Sequence, residues 1–166
     1  MWMICTQDYE QAKHINQRIW EIGPERLITR TEAYWKLWSR KEPINMGVLP
    51  EPIQDLFYRS QLILRTQIDN GGAIIAANDS DITHFAGDHY SYCWMRDGAL
   101  VAHGLILAGQ SELSRSFFRF AARCIGDKPY FLHKYTPEGN LASSWHPWVL
   151  EGQAILPIQQ DETALT

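Results

Sequence analysis

Apolar residues recur every three or four positions through most of this chain, and glycine or proline interrupts wherever the pattern lapses. That combination restricts the fold to short amphipathic helices joined by turns. Tyr9, Ala12, Ile15, Ile19 and Ile22 mark one helical face, which Gly23-Pro24 ends. Leu27, Tyr34, Trp35 and Trp38 mark a second. A linker rich in proline and glycine follows, from Pro43 to Pro52. A third helix opens within Glu51-Pro52-Ile53, since an early proline lacks an N–H to satisfy and an early glutamate suits the positive end of the helix dipole. Its inward face is expected to hold Ile53, Leu56, Phe57, Ser60, Leu64 and Ile68.

The pattern then changes. Ala73 to Ala77 is short and apolar, a strand or an extended buried segment, and Asn78 to Asp81 reads as a polar turn. His84 to Trp94 is aromatic without helical period and reads as a structured loop. A fourth helix begins near Arg96-Asp97 and runs to Ala108, with Gly109 as its stop. A fifth runs from Ser111 to Ile125, stopped by Gly126, and Phe117, Phe118, Phe120 and Ala121 give it an almost wholly apolar side. Residues 130–160 are loop-rich, and a sixth helix begins around Asp161. The fold class expected is all-α.

Composition narrows function. Of 166 residues, 45 % are hydrophobic and 20 % charged, which suits a globular domain rather than a disordered chain. The formal charge of -4, without clustered lysine and arginine, argues against a nucleic-acid partner. No apolar run approaches the roughly 20 residues that span a bilayer, so no membrane partner is expected. Three cysteines, Cys5, Cys93 and Cys124, without a CxxC pair, fit reduced thiols in a cytoplasmic protein better than a disulfide framework or a zinc site. Of six histidines, His84, His89, His103, His133 and His146 show no metal-ligand spacing, and neither metal nor cofactor is expected. Seven Trp and seven Tyr suit a binding surface as well as a core, because each ring has an apolar face and a polar edge.

The chemistry concentrates between Tyr90 and Ala99, where a loop becomes a helix. An isolated Arg96-Asp97 pair is ordinarily a solvated arginine beside an aspartate that caps the helix. The neighbours support more. A neutral sugar presents hydroxyls at its edges and C–H groups on its faces. A carboxylate accepts from hydroxyls, a guanidinium donates a fork of hydrogen bonds, and aromatic rings cover the C–H face. Tyr90, Trp94, Arg96 and Asp97 supply that set within eight residues. Cys93, inside the same stretch, has no sequence-adjacent base and reads as a packed thiol.

The stretch from Tyr90 to Asp97 resembles the Tyr-x-Tyr-x-Trp-x-Arg-Asp motif of glycoside hydrolase family 15, which contains glucoamylases, glucodextranases and some trehalases. Three more segments resemble that family in the same order: Gln67 to Ala77, Gly139 to Trp148 with its Ser-Ser-Trp-His-Pro-Trp run, and Leu156 to Leu165 with Leu-Pro-Ile-Gln-Gln-Asp-Glu-Thr-Ala. The resemblance covers about Tyr34 to Thr166. It implies a barrel of six concentric helix pairs, (α/α)6, with a pocket at one end. It also implies that Arg96 and Asp97 hold the hydroxyls of the end glucose, that Tyr90 and Trp94 line the same subsite, and that Trp145, His146, Gln159 and Asp161 lie in segments bordering it.

The family's reaction inverts the anomeric carbon, with one glutamic acid protonating the leaving oxygen and a glutamate activating water. Both family glutamates lie beyond the Gln-x-Asp-Glu-Thr segment, so Glu162 matches neither, and no catalytic residue is assigned. Twelve helices of roughly 11 residues, with loops, need well over about 200 residues. The chain is therefore expected to hold an incomplete barrel: residues 1–45 as a helical lead-in and linker, and residues 46–166 as the N-terminal portion of a truncated glucoamylase-like catalytic domain. The function implied is part of an exo-acting α-glucoside hydrolase that releases glucose from oligo- or polysaccharide. Its partners are a glucose-terminated substrate and the missing C-terminal barrel half, and the isolated chain is expected to be inactive. The alternatives are a non-catalytic glucan-sensing module, of the kind found in phosphorylase kinase regulatory subunits, and an inactive truncated product.

Overall fold

A computed structural model describes residues 8–42, 44–78, 90–143 and 149–166. Six helices and one two-stranded hairpin lie among them: α1 (Tyr9–Ile22), α2 (Pro24–Ser39), α3 (Glu51–Thr66), α4 (Met95–Leu107), α5 (Ser111–Ile125), β1 (Val149–Leu150), β2 (Gln153–Ala154) and α6 (Gln160–Ala164). The described chain is all-α apart from the hairpin. No described helix is long and apolar enough to cross a membrane. The chain separates into two compact units, residues 1–41 and residues 42–166.

The first unit is the α1–α2 hairpin. Asp8 caps α1 by accepting the Gln11 N–H at 2.7 Å, and Pro24 starts α2 without wasting a donor. Ala12, Ile15, Ile19 and Ile22 are half-buried, as are Leu27, Trp35 and Trp38. The expected face is there, but its ends are not covered: Tyr9 and Tyr34 are exposed. Trp35 meets Trp38 edge to face, with ring centroids 5.7 Å apart.

The second unit is built on α4 and α5. Its core joins Met95, Ala99, Ala102 and Leu105 of α4 to Phe117, Phe120 and Ala121 of α5, with Ile68, Ala73, Ile74, Cys93, Phe131 and Tyr135 completing it. Small residues allow the close approach. A Cβ on Gly98 would collide with the buried Phe117 ring, and Ser114 Oγ donates to the Ala102 carbonyl across the helix pair at 2.7 Å. Phe118 was expected on the same side as Phe117 and is instead exposed, because consecutive helix residues point about 100° apart.

The α3 reading needs more correction. Ile68, just past its end, is buried, and Phe57 and Leu64 are half-buried, but Ile53, Leu56 and Ser60 are exposed. The buried residue of α3 is polar: Gln61, whose Oε1 accepts from Gln110 Nε2 at 3.1 Å. Periodicity located a helix and an amphipathic face, but not which neighbour that face meets.

Extended backbone links these helices. Ile68 and Ile74 form a single antiparallel bridge, so Ala73–Ala77 is not a full strand; Ala73 and Ile74 are buried, Ile75 and Ala77 half-buried and Ala76 exposed. Gly72, with φ of +100°, makes the return and lies so close to the Ser116 carbonyl that a side chain has no room. Ala76 N–H and Ala77 N–H donate to the Tyr92 and Tyr90 carbonyls, both at 3.0 Å. On the other side, Cys93 and Tyr135 exchange both backbone hydrogen bonds, at 2.8 and 2.9 Å. The Tyr90–Trp94 segment is thereby held along both edges before it enters α4, while the rest of the expected polar turn and aromatic loop, residues 79–89, lies outside the described residues.

The β1–β2 hairpin lies within a region read as loop. Glu151 and Gly152 both have positive φ, 51° and 79°, which makes a two-residue turn compatible with strand twist. Glutamate-glycine is a weak turn signal beside Asn-Gly, so the sequence does not announce it.

Candidate functional site

The mouth of α4 lacks an ordinary cap. Its N-cap position is Trp94, whose indole has no acceptor for the free N–H groups of the first turn. Asp97 is the third residue of the helix, not its cap. The acceptor comes from 66 positions away: Glu162 Oε2 takes the Arg96 N–H at 2.9 Å. A helix end that its own sequence leaves open is thus closed by α6.

Glu162 also meets the side chain above it. Its Oε1 lies 3.3 Å from Arg96 Nη1, an ion pair outside hydrogen-bond geometry. The same Nη1 donates to Asp161 Oδ2 at 2.7 Å and reaches Gln159 Oε1 at 3.5 Å. Nη2 donates to Asp97 Oδ2 at 3.3 Å. One guanidinium therefore gathers three carboxylates and an amide, which suits the planar donor fork of arginine. The three carboxylates differ in exposure: the side chains of Asp97 and Asp161 are 44 % and 51 % exposed, whereas that of Glu162 is fully buried.

Charge states follow from those surroundings. Burial pushes the Glu162 carboxyl up to about 7, against the pull of the Arg96 N–H and guanidinium. The Arg96 hydrogen bond holds Asp161 below the usual carboxylate range, and that same bond raises the Arg96 pKa. Burial pushes the Cys93 thiol up to about 12 and Cys124 up to about 11, so neither is a thiolate at neutral pH and neither is poised as a nucleophile.

A hollow of about 430 Å³ opens beside this cluster. Tyr90, Trp94, Arg96, Asp97 and Gln159 line it, together with apolar walls from Leu64, Val101 and Ile74 to Ala76, and with Gln67. Tyr90 and Trp94 are stacked, with centroids 5.6 Å apart and planes 27° from parallel. Trp94 is buried and Tyr90 half exposed, so Tyr90 forms the outer part of the ring wall. Lys134, itself fully buried, places Nζ 4.7 Å above the Tyr92 ring and 5.1 Å above the Trp94 ring, a cation behind the wall.

The sequence-derived residues divide accordingly. Tyr90, Trp94, Arg96, Asp97 and Gln159 share the hollow. Asp161 is not among its lining but is bonded to Arg96. Trp145 and His146 lie outside the described residues. Sequence gives Glu162 no role beyond its mismatch to the family glutamates, and assigns none to Gln67 or Lys134. For Glu162 a signal existed: a helix starting after Trp94, with no Ser, Thr, Asp or Asn to cap it, requires an acceptor from elsewhere. No group of three or more His, Cys, Asp or Glu suited to a metal ion occurs among the described residues.

The site thus brings half-exposed carboxylates, a half-buried amide and an aromatic wall around a guanidinium held by several partners, groups able to accept from and donate to hydroxyls. No protein-family model, curated protein or solved structure matches the chain.

Proposed function

We propose that the hollow at the mouth of α4 is the end-sugar subsite of an inverting, exo-acting α-glucoside hydrolase of the glucoamylase kind, within an incomplete (α/α)6 toroid. The observation that supports it is the convergence of Tyr90, Trp94, Arg96 and Asp97 on one hollow. The four ordered segments resembling glycoside hydrolase family 15 give the reading its chemistry. Asp97 accepts from sugar hydroxyls, Arg96 orients that carboxylate, and Tyr90 with Trp94 covers the C–H face. Gln159 supplies a further amide at the rim. Trp145 and His146 belong to the proposal through their motif alone.

The chain has no residue matched to either family glutamate, and Glu162 is occupied in holding Arg96. The isolated chain is therefore expected to bind the end sugar without hydrolysing its bond.

Calorimetry of the purified chain with glucose and acarbose, beside a maltose hydrolysis assay, tests this directly. Binding without glucose release is the expected result. Asp97→Ala removes a charged acceptor and weakens binding by about 1.5–3 kcal/mol. Unchanged affinity in that variant removes Asp97 from the site, and glucose release by the wild-type chain overturns the assignment of inactivity.

A further inference from the structure

We propose that Glu162 is a positioning residue of the hollow: its buried carboxylate grips both the backbone amide and the guanidinium of Arg96, and its charge sets how firmly the hollow holds a neutral sugar. The proposal rests on the sugar-binding reading above. It goes beyond that reading by assigning a role to a residue that touches no ligand-facing surface.

The geometry carries it. Two separate contacts, 2.9 Å to the main chain and 3.3 Å to Nη1, fix Arg96 at both ends of its side chain. The other two carboxylates on the guanidinium are about half exposed, so water screens and loosens their hold. Glu162 is fully buried and is screened far less. When it is ionised, Arg96 is anchored from beneath and keeps Asp97 in place. When it is protonated, that anchor loses its charge, and Arg96 is left to Asp97, Asp161 and the Gln159 amide.

The groups that face Glu162 are Arg96 and Asp97 from α4, Asp161 from its own helix, and Cys93 and Tyr135 from the bridged segments. Burial keeps Cys93 and Tyr135 in their neutral forms at neutral pH, and Asp161 stays ionised. Glu162, pushed up to about 7, is the member of that set that changes charge near neutrality. Arg96 should therefore be held more firmly as pH rises through that value.

Two readouts on the full chain test the idea. The first needs no ligand: the Arg96 amide resonance of nitrogen-15-labelled protein should shift with a midpoint near pH 7, because its N–H bonds the titrating oxygen. The second is calorimetry with glucose, whose affinity should be about three- to tenfold greater at about pH 8 than at about pH 6. Glu162→Gln keeps an acceptor for the Arg96 N–H but has no charge, so it should abolish both pH steps and leave affinity at the weak end. The wild-type profile alone decides the matter should that variant fail to fold. Glucose binding that ignores pH, or a Gln variant with the wild-type profile, overturns the role of Glu162 while leaving the sugar site intact. No glucose binding at any pH overturns the site reading and this proposal with it.

Discussion

Glu162 ties the stability of the fold to pH in the sense opposite to its effect on the site. Its folded-state pKa, about 7, lies above the ordinary 4.5, so the folded chain holds a proton that the unfolded chain releases. That contribution is fully present below 4.5 and is lost as pH rises through about 7. Asp161 runs the other way: its pKa is depressed below the ordinary 3.8, so its contribution is present above that value and lost only in more acid solution. Between about pH 5 and pH 8, Glu162 therefore sets the trend of the cluster, and thermal melting should shift downward by a few degrees across that window. Glu162→Gln should flatten the trend, and a wild-type melting point that rises steadily from pH 5 to pH 8 contradicts it. The residues of the hollow that sequence could identify are those whose chemistry is local, Tyr90, Trp94, Arg96 and Asp97, which sit within one loop-to-helix junction. Glu162 was not legible in that way. Its role depends on a partner 66 positions distant, and an acidic residue in a short helix carries no mark of being buried.

At the level of elements, α4 and α5 show how closely two helices are held by what is missing from a side chain. Gly98 faces the ring of Phe117, which is fully buried and has no exposed route of retreat. Gly98→Ala improves helix propensity by about 1 kcal/mol but overpacks the contact, at about 1–3 kcal/mol. The second effect wins, so the variant should melt lower than wild type. Equal or greater stability means that Phe117 can move, and the packing inferred between the helices is then wrong. Helix boundaries were readable because glycine and proline end helices by local sterics: Gly23-Pro24, Gly109 and Gly126 each fall at or next to a helix end in the structure. The faces of α3 and α5 were less readable. An apolar stripe states that a helix can bury a face, and only the neighbouring element decides how much of it is buried. Ile53, Leu56 and Phe118 are the residues where that difference appears. The β1–β2 hairpin was missed because its turn depends on a glutamate with positive φ, a choice that local propensity disfavours.

For the molecule as a whole, burial is unequally shared between its two units. Among the described residues, the contiguous apolar core runs from Ile68 to Tyr135, within residues 42–166. In residues 8–41, α1 buries no residue and α2 buries Ser39 alone, while Trp20, Ile28 and Leu37 are largely exposed. Isolated helices of this length are marginal in water, because each must offset a costly nucleus with few tertiary contacts. Opening of α1 and α2 should therefore require much less free energy than opening of the α4–α5 pair, whose amides are released only when Phe117, Phe120 and Leu105 lose their packing. Native-state hydrogen exchange resolves the two. Interior amides of α1 and α2 are expected to exchange at least about a hundredfold faster than those of α4 and α5. Addition of glucose should further protect α4 and the Tyr90–Trp94 segment, which line the hollow, and leave α1 and α2 unchanged. Equal protection across all four helices would show that the chain opens in one cooperative step, and protection of α1 by glucose would show that ligand binding is felt beyond the unit that holds the hollow.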